Sequence, residues 1–204
     1  MKEKIKYLFI VLFLLFCFIF LSMSSYANTI SQNLSDNFFR LHILANSNSK
    51  SDQELKLKVR DKIIEYMNSQ DFSNYSKECI INHVSENLNI YKEIAENAIK
   101  ASGFDYPVSI EVGNYLFPTK KYGNISLPAG NYDALRIKIG NSTGENWWCS
   151  LFPPLCFVDI SSGIIDENAE KTLKNNLSDE EFAIIRNTNN SIKLKFKIVE
   201  LFSK

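Results

Sequence analysis

Apolar and polar positions along this chain repeat with different periods, and the changes of period mark out its elements. Residues 8–21 form an unbroken apolar run with no period. Residues 38–45 alternate, with Phe39, Leu41, Ile43 and Ala45 on one side, which predicts a strand. A polar turn over 46–50 follows. Ser51 with Glu54 three residues later reads as a capping box opening a helix to about Met67. Its apolar stripe is Leu55, Val59, Ile63 and Tyr66, while Lys56, Lys58 and Lys62 fall on the other faces. Ile80, Val84, Leu88, Tyr91, Ala95 and Ala98 keep helical spacing through a second helix that starts near Ser76. Gly103 stands where a left-handed residue closes a helix.

Past Gly103 the period falls to two. Residues 107–116 read as a strand with Val108, Ile110 and Val112 on one face. Residues 132–139 read as another, in which Leu135, Ile137 and Ile139 alternate with Arg136 and Lys138. Gly130 is the expected positive-φ position in the segment that joins them, and residues 140–144 make a further turn. Ser178 with Glu181 caps a short helix to Arg186. Residues 192–198 then alternate apolar side chains with Lys193, Lys195 and Lys197, predicting a closing strand. Early helices followed mainly by strands predict an α+β fold. The expected architecture is two long N-terminal helices packed on one face of a mainly antiparallel sheet, in a single domain covering residues 37–204.

The N-terminus has a different character. Lys2, Lys4 and Lys6 precede the apolar run, and Ser25-Tyr26-Ala27 supplies small residues after it. Basic, apolar and small-residue regions in that order are those of a secretory signal peptide, residues 1–27, with cleavage expected after Ala27. The run is shorter than the ~20 residues of a spanning helix, so retention as an anchor is the second reading. Either reading places the domain outside the cytoplasm. Residues 28–36 are polar and read as a flexible lead-in.

Composition narrows the function classes. The 204 residues are 45% hydrophobic and 23% charged, with 23 basic and 23 acidic side chains. That is too apolar for a disordered chain and too neutral for a protein held to nucleic acid by a basic surface. Without residues 1–27 the domain is mildly acidic, which argues further against nucleic acid and anionic lipid.

Cys79, Cys149 and Cys156 remain in the domain. Cys149 and Cys156 flank a short stretch containing Pro153 and Pro154, and read either as a disulfide or as two buried thiols. Cys79 is left as a core thiol or an intermolecular partner. Spacing for a metal site is lacking, with only His42 and His83 available, and neither a metal nor another cofactor is implied.

No nucleophile elbow, zinc-protease helix, phosphate loop or dinucleotide motif occurs, and no small-molecule substrate is evident. Two weaker constellations support an alternative reading as an exported envelope-directed hydrolase. Glu111 and Asp133 come from neighbouring strands and suggest a carboxylate pair. Cys79 and His83 are one helical turn apart and suggest a thiol–imidazole pair. Exposed sheet carboxylates and a core cysteine account for these residues more simply, and His42, in a strand beside Arg40, reads as a structural histidine rather than a base.

Aromatic and proline density is the stronger signal. Tyr115, Phe117, Tyr122, Trp147, Trp148, Phe152 and Phe157 crowd together with Pro118, Pro128, Pro153 and Pro154. Trp147 and Trp148 are adjacent, so in a strand they point to opposite faces and cannot both enter one core. An exposed Trp beside rigid turns is a residue type that anchors protein contacts. The candidate partner-binding set is therefore Trp147, Trp148, Phe152, Pro153, Pro154, Tyr115 and Tyr122; a local aromatic minicore is the competing reading.

Four blocks carry a resemblance: RLHILANSNSKSDQELKLKVRD at 40–61, YPVSIEVGNYLFPTKKYG at 106–123, LPAGNYDALRIKIG at 127–140 and NWWCSLFPPLCFVD at 146–159. Together they resemble the stage II sporulation protein R family, in that family's order, and the last block is a specific string. The resemblance implies a signalling protein, not an enzyme. Such a protein is made in the forespore and exported into the space between forespore and mother cell. There it triggers a membrane-embedded aspartic protease that processes the mother-cell sigma factor precursor. The family pattern supplies no catalytic residues.

Overall fold

The computed structural model describes residues 2–72, 75–156 and 167–186. The strand expected at 192–198 and the side chain of Phe157 lie outside them.

The chain opens with α1 (Lys2–Asp36), whose apolar half is exposed among the described residues. By length and composition this helix is able to cross a membrane, a test that a signal sequence also passes. Residues 28–36, expected as a polar lead-in, continue the same helix. Their last turn is docked: Leu34 is buried against the domain, because it is the apolar residue of that turn facing β5.

β1 (Phe39–Leu44) follows directly. It runs through the middle of the sheet, so both its faces are covered and even Arg40 and His42 are buried. α2 (Lys50–Ser69) buries Leu55, Val59, Ile63, Ile64 and Met67. Its cap is Ser49 rather than Ser51: the Ser49 hydroxyl accepts from the Asp52 amide at 3.2 Å. The helix starts two residues early because Asp52 has inward-facing partners in the preceding loop, whereas Glu54 is exposed.

The second helix is two. α3 (Lys77–Glu86) is capped by Ser76 as expected, and α4 (Leu88–Ala101) restarts after Asn87. Asn87 takes the sparsely populated conformation φ −111°, ψ 21° and turns its side chain back onto the His83 carbonyl at 2.8 Å. Apolar spacing carries across this break because Ile80, Val84, Tyr91, Ala95 and Ile99 still share one core. At the far end Gly103 has φ +82°, its amide bonds Lys100 O at 2.9 Å and the Phe104 amide bonds Ile99 O at 3.1 Å. That is a Schellman stop, and it requires a residue without a Cβ penalty.

β2 (Val108–Phe117) then leads into a small hairpin, β3 (Lys120–Tyr122) and β4 (Ile125–Leu127), that the periodicity did not reveal. Strands of three residues are too short to establish a period. The positive-φ glycine of this region is Gly123, at +56°; Gly130 is the first residue of β5 (Gly130–Ile139), paired with Phe117. β6 (Asn146–Phe152) completes the sheet, and α5 (Glu167–Asn176) and α6 (Asp179–Arg186) follow. Ser178 and Glu181 form the expected capping box, with bonds of 2.9 and 3.3 Å.

The architecture is α+β, with six helices among the described residues and a mixed sheet in the order β2-β5-β1-β6. β2–β5 and β1–β6 are antiparallel, but the central pair β1–β5 is parallel, which corrects the expectation of a mainly antiparallel sheet. A parallel pair needs a long crossover, and everything from α2 to β4 provides it. The helix-side face carries Phe39, Leu41, Ile43, Leu135, Ile137 and Cys149 under α2–α4. On the opposite, outer face the β3–β4 hairpin covers the end around Arg40.

Candidate functional site

The outer face takes its chemistry from register. Glu111 pairs with Arg136, Arg136 with His42, and His42 with Trp148, so one row of side chains crosses all four strands. One step toward the loop end lie Ser109, Lys138, Leu44 and Asn146. At the charged side of the row, Arg136 donates to Glu111 Oε1 at 2.8 and 2.6 Å, and Lys138 Nζ reaches the same oxygen at 2.7 Å. These bonds, from Lys138 first and then Arg136, hold the Glu111 carboxyl below its ordinary range. The cluster keeps one positive charge over. The Arg136 guanidinium also lies 3.8 Å from the centre of the Tyr115 ring, and that ring folds back over Gly113.

At the aromatic side, His42 stacks on Trp148 with ring centres 3.8 Å apart, and Phe117 meets Trp148 edge-on at 4.6 Å. His42 Nε2 lies 3.0 Å from Asn146 Oδ1. Burial pulls the imidazole down to about 4, and the nearby cations Arg136, Lys138 and Arg40 act in the same direction. His42 is therefore neutral at pH 7 and is a packing residue.

Below the row, Arg40 is fully buried under the hairpin. Its guanidinium lies 4.2 Å from the Phe117 ring centre and 4.8 Å from that of Tyr132. It donates to Tyr122 Oη at 2.6 Å, and Tyr122 donates on to the Trp148 carbonyl at 3.1 Å. Burial lowers the Arg40 pKa, and aromatic faces rather than a carboxylate surround the charge among the described residues.

Of the sequence-derived contact set, the structure brings Trp148 and Tyr115 to the outer face. Trp147 is on the helix side, with the Arg60 guanidinium 4.3 Å above its ring. Both tryptophans are half-buried, so neither is left standing in water. Tyr122, Phe152 and Pro153 are buried, while Pro154 is exposed. Tyr122 is buried against Arg40 by the hairpin, and Phe152 pairs with Phe39 in the main core. Cys149 and Cys156 are joined at a Cα separation of 5.2 Å.

The hydrolase constellations do not assemble. Glu111 is on the outer face, whereas Asp133 is on the helix side, bonded to Lys77 at 2.8 Å. Asp133 and Arg136, the strand partner of Glu111, are an odd number of positions apart along β5, so the carboxylates cannot face each other. Cys79 is exposed in the first turn of α3 and is not a core thiol, while the His83 ring turns to Phe72 at 5.1 Å.

What the sequence reading missed is the partnership of Arg136, Lys138 and His42. The alternation at 135–139 already put both cations on one face; only register showed what they meet.

Around the loop end, the block at 40–61 acquires a physical meaning as a brace. Asp52 accepts from Ser47 Oγ at 2.5 Å and Asn46 Nδ2 at 2.8 Å, and these bonds, Ser47 first, lower its pKa. Asn46 Oδ1 takes the Asn141 amide at 2.9 Å, Asn48 Oδ1 takes the Glu145 amide at 2.7 Å, and buried Lys56 donates to Glu145 O at 3.0 Å. Residues 46–56 thus clamp the β5–β6 turn and hold β6 in place beside β1. A family model, Stage II sporulation protein R, matches residues 35–162, which take in this brace and the whole sheet.

The chain belongs to that family. Stage II sporulation protein R of Bacillus subtilis (strain 168) is 41% identical to it over 130 residues, 64% of this chain and 58% of that protein. The match therefore spans less than two thirds of the relative's length. No solved structure matches. The family range begins at Ser35, in the docked last turn of α1, and leaves the apolar part of that helix outside.

Proposed function

We propose that this member of the stage II sporulation protein R family is an exported signalling protein. It acts from the forespore side on the extracytoplasmic surface of a membrane-embedded aspartic protease, and thereby triggers processing of the mother-cell sigma factor precursor. The observation that carries the reading is the family match over 35–162, joined to an apolar helix at its N-terminal boundary. An apolar α1 supports export, cleaved or anchored. Differential binding to the active form of the protease is the mechanism: a ligand shifts an equilibrium only as far as it prefers one state.

The outer face supports a binding role. It offers a cationic end, Arg136 and Lys138, and an aromatic end, Trp148, held in fixed register by four hydrogen-bonded strands. Pre-organised groups lose little entropy when a partner docks.

The experiment compares full-length protein with a form lacking residues 1–27 in sporulating cells, reading processing of the sigma factor precursor by immunoblot. Processing is expected only with the full-length form. Equal processing by both forms refutes action across the membrane, and normal processing in cells lacking the protein refutes the function itself.

A further inference from the structure

The two edges of the sheet differ. β6 has carbonyls of its free side occupied: Trp148 O accepts from Tyr122 Oη at 3.1 Å and Ser150 O from the Leu155 amide at 3.0 Å. β2 is open among the described residues. It has 10 residues in unbroken register with β5 on one side and no strand on the other. Soluble proteins guard such an edge with lysine, proline, a bulge or a covering segment. β2 contains no lysine and no proline, and its ladder has no register shift. Its one charged residue, Glu111, is turned onto Arg136 and Lys138. Leu116 is 72% exposed, a large apolar side chain at an unpaired edge.

We infer that the outer edge of β2 is a docking site for an extended segment of the partner, in which acidic residues alternate with apolar ones. This rests on the reading of the protein as a ligand of the membrane-embedded protease.

The pattern follows from the two faces of the edge. A strand added to β2 places alternate side chains above and below the sheet, one strand spacing of about 4.8 Å away. On the outer face they meet the Glu111–Arg136–Lys138 cluster with its surplus positive charge. Both cations lean toward β2, Arg136 far enough to lie over the Tyr115 ring. On the helix-side face they meet Ile110 and Val112, both half-buried, and exposed Leu116. Acid above and apolar below is the complement. A second copy is disfavoured, since pairing β2 with β2 sets two positive clusters against each other. The alternating segment at 192–198 has Lys193, Lys195 and Lys197 in the acidic positions and so carries the wrong sign.

The test places a photo-crosslinking phenylalanine analogue at Leu116, at Trp148 or at exposed Asp61 of α2 in the full-length chain, in sporulating cells that carry a tagged protease. Alongside it, Leu116→Lys and Lys138→Glu are assayed for sigma factor processing and for melting temperature, with Leu116→Val as the conservative control. The expected result is capture of the protease from position 116 and not from 61. Both charge variants should lose at least tenfold in processing with an unchanged melt, and Leu116→Val should retain it. Capture from 116 of only a second copy, or of residues 187–204 of the same chain, overturns the inference. So does capture of the protease from 148 alone with processing intact in both charge variants, and that result leaves the signalling function standing. Absence of capture from every position, with normal processing in cells lacking the chain, overturns both.

Discussion

His42 makes stability depend on pH in a window where little else titrates. In the folded chain it is only 6% exposed, sandwiched against Trp148 with Phe117 at its edge, and its pKa is about 4 against an ordinary 6.5. Arg136, Lys138 and Arg40 face it, all cations, so each disfavours a second positive charge there. The depressed value fixes the sign. Above pH 6.5 both folded and unfolded chains hold a neutral imidazole; below it the unfolded chain takes up a proton that the folded chain refuses, so stability falls until the pH passes about 4. Integrating between pH 7.5 and pH 5.0 gives a loss of about 2 kcal/mol. In a domain of this size that corresponds to roughly 4–8 °C in Tm. Asp52 and Glu111, with lowered pKa values, act in the same direction, but their window lies mainly below pH 5. The assay is denaturant unfolding of the full-length protein in non-ionic detergent at the two pH values. His42→Phe keeps the stacked ring, loses the bond to Asn146 and removes the titration. It should therefore lower stability at pH 7.5 by about 1 kcal/mol while removing most of the pH dependence. An unchanged pH dependence in His42→Phe, or an NMR titration of His42 near 6.5, refutes the reasoning.

Gly144→Ala should destabilise by about 2–3 kcal/mol, because a Cβ there overlaps the Ser47 carbonyl of the brace, which is backbone and cannot swing aside. Gly113→Ala should cost less than about 1 kcal/mol, since its Cβ meets only the free end of the Tyr115 side chain; thermal melts that reverse the order refute the packing argument. The Cys149–Cys156 link should stabilise by about 2–3 kcal/mol in the chain-entropy model. Non-reducing mass spectrometry of exported protein should find those two peptides joined and Cys79 alkylated, and two free thiols at 149 and 156 refute the link. Trp148→Ala should destabilise by about 2–3 kcal/mol and Trp147→Ala by about 1–2 kcal/mol. Trp148 packs on His42 and Phe117, whereas Trp147 is covered mainly by Arg60; the opposite ranking in urea unfolding refutes this.

Local rules carried much of this protein. The alternation at 38–45 and 132–139, the caps at Ser76 and Ser178 and the Schellman glycine at 103 all stand in the structure, because each depends on residues within one or two turns. The divergence of Trp147 and Trp148 to opposite faces was legible for the same reason: the side-chain period of a strand is a property of the backbone alone. Where two local signals competed, the one with side-chain partners in the neighbouring loop or turn prevailed. Ser49 caps α2 because Asp52 bonds into the loop, and α3 parts from α4 at Asn87 without breaking the apolar stripe. The row Glu111–Arg136–His42–Trp148 was beyond sequence reasoning, since its members come from four strands separated by long connections. Their alignment depends on which strand lies beside which and in what register. That choice is made by burying both faces of β1 at once, and a sliding step of one residue in any strand would turn its whole apolar set outward. Only the folded chain decides it, and with it the surface where, among the described residues, charge, aromatic ring and open strand edge meet.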